Sequence, residues 1–302
     1  MKTLKMLLLV ALATAFPLTH TYAQKITVDE IVAKHLESIG TSADRSQVRN
    51  LMIRGDIKMA YHGYNPYKTE GKVILASEAS KVLFRMAVKA RQVFNLPNAT
   101  ENDSVVFDGT NIQVGPPVPP QVRPGAIRIR SDFEDFIDQV HVMVKDGILG
   151  GALFTGWNLV DRGPGRGKLE YDGIENVDGK KYYVLKFDPK DGATVKIKLY
   201  FDAETFQHTR TEYHLTLHGA LGTLGTARGQ GVSPESLHNF MKFTEEFSDF
   251  RKEGQLTLPH KYTIYVKAPV LYDRETDYTV ELKEFFFNVP FDPASFNVTK
   301  NK

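Results

Sequence analysis

Four dipeptides, Asp108-Gly109, Asp178-Gly179, Asp191-Gly192 and Glu253-Gly254, separate stretches in which apolar residues recur at every second position. Each glycine supplies the positive φ that a tight hairpin needs, so the strands it joins must run antiparallel. In the first stretch Leu51, Ile53, Ile57, Met59 and Tyr61 fall on one side, and Met52, Arg54, Asp56, Lys58 and Ala60 on the other. That alternation predicts a sheet with unlike faces. Further strands are expected near 70–77, 81–90, 104–107, 111–114, 168–174, 181–187, 194–201, 206–217, 240–251, 258–267 and 278–287. Strands linked through hairpins exclude a doubly wound fold, which needs crossover helices between parallel neighbours.

Two segments have the helical period instead. Thr27 and Glu30 have the spacing of a capping box, Ile26 and Ile31 that of a hydrophobic staple, and Gly40 stands where a helix would stop. Between them Val28, Ile31, Val32, His35, Leu36 and Ile39 mark one apolar face, predicting a helix over 27–39. Ser131 and Glu134 form a second capping-box pattern, followed by Phe133, Phe136, Ile137, Val140 and Val144 at helical spacing and by the apolar run Gly147 to Trp157. A helical layer over 132–155 follows. The fold class expected is mainly β with an α+β layout: a large curved antiparallel sheet forming an unclosed half-barrel, its apolar face covered by these two helical segments. Large apolar side chains are abundant, with 19 Phe, 13 Tyr and seven Met, and a curved sheet lined by them encloses either a solid core or a lipid-sized cavity.

Residues 1–23 have the layout of a secretory signal peptide: Lys2 and Lys5, an apolar run from Met6 to Phe16, then a polar stretch ending in Ala23. The run is shorter than the roughly 20 residues needed to span a bilayer. The expectation is cleavage after Ala23, a soluble periplasmic product, and one domain over 24–302. The two lysines account for the whole formal charge of +2, so the remainder is balanced, which argues against a nucleic-acid partner. The chain has no cysteine, hence no disulfide and no lipidation site beside the cleavage point.

The sequence holds no Gly-x-Ser-x-Gly elbow, no His-Glu-x-x-His and no P-loop, and in Arg162-Gly163-Pro164-Gly165-Arg166-Gly167 a proline stands where a phosphate cradle needs a free N–H. His208, Arg210, Glu212, His214, Thr216 and His218 share one face by period two, so Glu212 and His214 with one further ligand could hold a metal. Tyr213, Leu215 and Leu217 opposite them favour a solvated strand face, and no metal is expected. Asp132, Glu134, Asp135 and Asp138 fit the negative charge favoured at a helix start. Glu245, Glu246 and Asp249, flanked by Phe243, Phe247 and Phe250, read as an outward or edge face. Gly115 to Gly125, with five prolines, reads as a stiff connector, and Gly219 to Gly231 as a long hairpin connection or a gate loop.

The order of these features resembles the periplasmic lipoprotein-carrier superfamily of the Lol system. The resemblance rests on the leader, the capped Ile26-Thr27-Val28-Asp29-Glu30-Ile31, the strand Leu51 to Tyr61, the Gly179-Lys180-Lys181-Tyr182 hairpin, the Asp202-Ala203-Glu204-Thr205 turn and the strand start Gly254 to Pro259. It implies an unclosed barrel with a helical lid that shields acyl chains. In such carriers an arginine and a proline precede the third apolar strand, and the arginine ties lid to sheet. Here Ser77-Glu78-Ala79-Ser80 occupies the matching stretch, so that arginine is not carried over; Arg54 and Arg85 are either substitutes for it or solvated.

With this arrangement the residues expected to line the ligand space are Ile31, Leu36, Ile53, Ile57, Phe84, Met86, Phe133, Phe136 and Ile137. Two functions remain open. One is an exported, non-enzymatic carrier or binding protein for a lipid, an acyl chain or a lipoprotein, without cofactor, monomeric and meeting envelope membrane proteins. The other is an envelope protein-interaction module with a filled core and no lipid ligand.

Overall fold

The computed structural model of the protein describes residues 26–63, 65–89, 100–115, 131–160, 167–190, 194–216, 240–268 and 274–298. The leader, Asp191-Gly192, the proline-rich connector beyond Gly115, the 162–166 glycines, and the chain from 217 to 239 with His218 lie outside the described residues.

Twelve strands form one sheet in the order β5-β4-β3-β2-β1-β12-β11-β10-β9-β8-β7-β6. They are β1 (Asn50–Tyr61), β2 (Tyr67–Glu78), β3 (Lys81–Lys89), β4 (Thr100–Phe107), β5 (Ile112–Val114), β6 (Lys168–Val177), β7 (Lys180–Asp188), β8 (Val195–Asp202), β9 (His208–Thr216), β10 (Phe240–Glu253), β11 (Leu256–Ala268) and β12 (Arg274–Phe287). Every pairing is antiparallel. Gly109, Gly179 and Gly254 all have positive φ at the turns where their dipeptides predict hairpins. The chain lays strands outward from β1 to the β5 edge, passes to the opposite edge at β6, and returns strand by strand until β12 pairs with β1. The crossing segment is the second helical stretch, so topology alone sends it from one edge of the sheet to the other.

The first helix, α1 (Val28–Ile39), starts at a complete capping box: Glu30 N–H donates to Thr27 Oγ1 at 3.2 Å and Thr27 N–H to Glu30 Oε2 at 2.8 Å. It buries Ile31, Val32, His35 and Ile39. Gly40 caps it in extended backbone rather than the left-handed region, and a short helix α2 (Ser42–Ser46) follows. The crossing segment is less regular. It comprises α3 (Asp132–Gln139), α4 (Val142–Lys145) and a 3₁₀ turn at Gly151–Leu153. Gly147, Gly150 and Gly151 all take positive φ, which breaks the predicted 132–155 layer into pieces. The predicted second capping box is half formed: Ser131 Oγ accepts from Glu134 N–H, while the Glu134 carboxylate turns to the backbone N–H of Ser104.

The helix α3 packs on β4, β5 and β11 at once. In a flat sheet five strand steps of about 4.8 Å would part β4 from β11 by roughly 24 Å, more than twice the about 10 Å width of a helix. The sheet is therefore strongly curled, and Phe84 of β3 meets Tyr262 of β11 across the interior at 6.2 Å between ring centroids. The outer face is charged: Asp56 binds Lys72 and Lys283, Lys198 binds Asp172 and Glu175, and Arg210 binds Glu246. Among the described residues no helix is long and apolar enough to cross a membrane.

Candidate ligand-binding interior

Ile31, Ile53, Ile57, Phe84, Met86, Phe133, Phe136 and Ile137 are all buried in one apolar cluster, with Leu36 partly buried against it. The predicted lining residues therefore converge from α1, β1, β3 and α3. Phe133 meets Phe84 edge to face at 5.1 Å, and Phe136 stacks on Phe243 of β10 at 5.0 Å. Spaces remaining under the cover are small: one of about 10 Å³ beside His35, His208 and Phe247, and another of about 10 Å³ beside Val82, Val144 and Phe154. Among the described residues the interior is packed by its own side chains.

Polar contacts hold the cover at defined points. Glu245 on β10 is fully buried and accepts three hydrogen bonds, from the Tyr262 hydroxyl at 2.5 Å, the Tyr213 hydroxyl at 2.7 Å and the backbone N–H of Gly150 at 2.7 Å. The tyrosines stand on the two strands flanking β10, and Gly150 belongs to the crossing segment. Its φ of +73° turns that N–H toward the sheet, and a side chain there would run into the Phe154 ring. Burial pushes the Glu245 carboxyl up to about 7, although the three donors pull it down. Burial, and then the Glu245 charge, push both tyrosine hydroxyls well up.

The outward reading of Glu245 is thus corrected. Glu245 and Glu246 are neighbours on one strand and cannot share a face; Met241, Phe243, Glu245 and Phe247 point inward while Glu246 is exposed. The signal was present in the sequence, as a carboxylate two residues from a phenylalanine on each side.

The polar series on β9 also divides. Arg210, Glu212 and His214 lie on the outer face, Glu212 with Lys242 at 3.5 Å and Arg210 at 3.8 Å. His208 does not follow them. A register shift where β9 meets Tyr200 and Phe201 inserts Thr209 and turns His208 into the core. There it stacks on Trp157 at 5.0 Å and bonds Thr211 Oγ1 at 2.8 Å. Trp157 Nε1–H donates to His35 Nε2 at 3.1 Å, which assigns the His35 proton to Nδ1, donating to the Phe206 carbonyl at 3.1 Å. That carbonyl is delivered by the Asp202 turn, in which Oδ1 accepts from the N–H groups of Glu204 and Thr205 at 2.9 Å each. Burial lowers His35 to about 4 and, together with His35, holds His208 well below the usual imidazole range. Among the described residues no three His, Asp or Glu side chains converge as metal ligands.

Arg54 and Arg85 are both exposed on the outer face, Arg54 lying over the Phe286 ring, and neither reaches the cover. The arginine that does is Arg274 of β12, whose guanidinium is 3.1 Å from the buried Asp132 at the start of α3; Thr276 also donates to Asp132 at 3.1 Å. Asp132 is therefore more than a charge favoured by the helix dipole. A further tie joins Thr155 N–H to Ser77 Oγ at 2.9 Å.

No protein-family model matches the chain, and no curated protein is significantly similar to it. Solved structures are. A LolA superfamily protein from Nitrosomonas europaea aligns over 91% of this chain and 99% of its own, with 12% identity and a TM-score of 0.46. A DUF1329 family protein from Desulfovibrio piger aligns over 89% of this chain and 97% of its own, with 12% identity and a TM-score of 0.43.

Proposed function

We propose that the protein is an exported, non-enzymatic binding protein or carrier for a lipid, an acyl chain or a lipid-modified protein, the ligand taking the place of the cover on the concave apolar face. The observation that carries this reading is the construction of the cover. Sheet strands bond to one another without it, whereas the crossing segment consists of helical pieces of eight, four and three residues. Pieces so short have little stability of their own. The segment stays closed through contacts with the sheet, a few of them polar and separable: Gly150 to Glu245, Asp132 to Arg274 and Thr155 to Ser77. A cover of that kind can leave an intact sheet and expose a trough of Phe84, Phe243, Tyr213 and Tyr262. Glu245, the carboxyl that titrates near neutrality, is bonded only by two tyrosines and a backbone N–H, which suits support and not hydrolysis, where a nucleophile needs an oriented base.

The small closed spaces favour the second reading, an envelope protein-interaction module with a filled core. Native mass spectrometry of the protein purified from its own envelope separates the two: the carrier reading expects a lipid mass that delipidation removes. Trp157, the single tryptophan, is buried in the cover and reports its movement. Adding an acyl ligand should shift its emission to the red. No co-purified lipid and no response of Trp157 to any chain would leave the interaction module.

A further inference from the structure

The polar cluster around Glu245 is set among phenylalanines on the interior wall, and its parts belong to two bodies. Glu245, Tyr213 and Tyr262 lie on adjacent strands β10, β9 and β11 and keep their mutual bonds however the cover moves. The fourth member, the Gly150 N–H, departs with the cover. Opening therefore leaves Oε1 of a buried carboxylate short of one donor, deep in a trough whose other walls offer Phe84, Phe243 and Phe247. Oε1 keeps the Tyr262 hydroxyl and loses its second donor, so the open state favours an occupant that restores the missing bond.

We propose that Glu245 is a ligand-recognition residue that selects chains bearing a hydrogen-bond donor, a hydroxyl, amide N–H or amine, which takes over the bond Gly150 makes in the closed state. This rests on the binding reading above and names its ligand class. A chain ending in a carboxylate presents acceptors and a like charge at the same point and is disfavoured there.

The test compares dodecanol, dodecylamine and dodecanoate, each below its aggregation concentration at pH 8, by Trp157 emission and displacement of a hydrophobic dye. The two donor chains should bind the wild-type protein at least about tenfold more tightly than dodecanoate, the value of one good hydrogen bond. In Glu245→Gln, whose carboxamide can both accept and donate, the preference should shrink to within about threefold, with near-UV circular dichroism confirming the fold. Equal binding of all three chains to the wild type, or an unchanged preference in the variant, overturns the proposal and leaves the carrier reading standing. Binding of none overturns both. If the variant does not fold, the infrared difference spectrum of wild-type protein with and without dodecanol decides: a shifted carboxylate stretch supports the proposal and an unshifted one overturns it.

Discussion

The helix α1 and the crossing segment 131–160 cover the same concave face by opposite means. The former is continuous over twelve residues, capped reciprocally at its start, and presents an apolar stripe of regular period. The latter has three helical fragments, three positive-φ glycines and contacts scattered over β4, β5, β10, β11 and β12. One is a unit with its own local logic; the other takes its shape from the wall it lies on. Their buried titratable anchors differ in sign as well, a neutral imidazole under α1 and a carboxyl of raised pKa under the crossing segment.

The largest expected effect comes from the apolar contact that seats the crossing segment. Phe136→Ala removes the ring stacked on Phe243 and should destabilise the protein by about 3–5 kcal/mol in denaturant unfolding while increasing uptake of a hydrophobic dye. Stability and dye uptake both unchanged would mean that α3 does not cover the sheet.

The two anchors should give the pH profile opposing slopes. Glu245 has a folded-state pKa of about 7, above its ordinary 4.5, so its contribution is fully present below pH 4.5 and is lost as pH rises through 7. The loss amounts to roughly 3 kcal/mol. Unfolding titrations of wild type and Glu245→Gln should therefore diverge across that window, with the variant lacking the decline. Parallel curves would contradict the burial of an ionisable carboxyl there.

His35, lowered from 6.5 to about 4, acts in the other direction: its contribution is present above pH 6.5 and is lost as pH falls through 4. Taken alone, that contribution amounts to roughly 3 kcal/mol over the interval. In His35→Asn the Glu245 decline should stand uncompensated, so stability falls more steeply from pH 4.5 to 7 than in the wild type, and a changed Trp157 emission should report the altered partner of its indole N–H. Between pH 4.5 and 6.5 the two slopes nearly cancel in the wild type, so each single variant should show a steeper profile there than either the wild type or the double variant.

The smallest effect belongs to the local unit. Thr27→Ala deletes one half of the capping box and should cost about 1 kcal/mol, with little change in dye uptake, because the apolar face of α1 remains. A large rise in dye uptake would show that α1 depends on its cap as heavily as the crossing segment depends on its anchors.

Much of the architecture was legible because it rests on chemistry within a few residues. Asp178-Gly179 can turn only one way, Thr27 and Glu30 cap each other across three positions, and the parity of Leu51, Ile53, Ile57 and Met59 selects one face of β1. The residues expected to line a ligand space were picked by that same periodicity, and the structure places them in one buried cluster, with Leu36 partly buried against it. Parity, however, holds only while the ladder is regular. The inserted Thr209 reverses it for His208, and nothing in the His208 to Thr216 stretch announces the shift, since a bulge is defined against the partner strand.

The anchors of the cover lay further out of reach. Gly150 and Glu245 are 95 residues apart, and Asp132 and Thr276 are 144 apart. A carboxylate reads as solvated until its surroundings are known, because its protonation and its bonds depend on who else loses water beside it. Curling the sheet brings Tyr213, Tyr262 and the Gly150 N–H around Glu245, and that enclosure turns a residue which looks like surface into the polar centre of the interior.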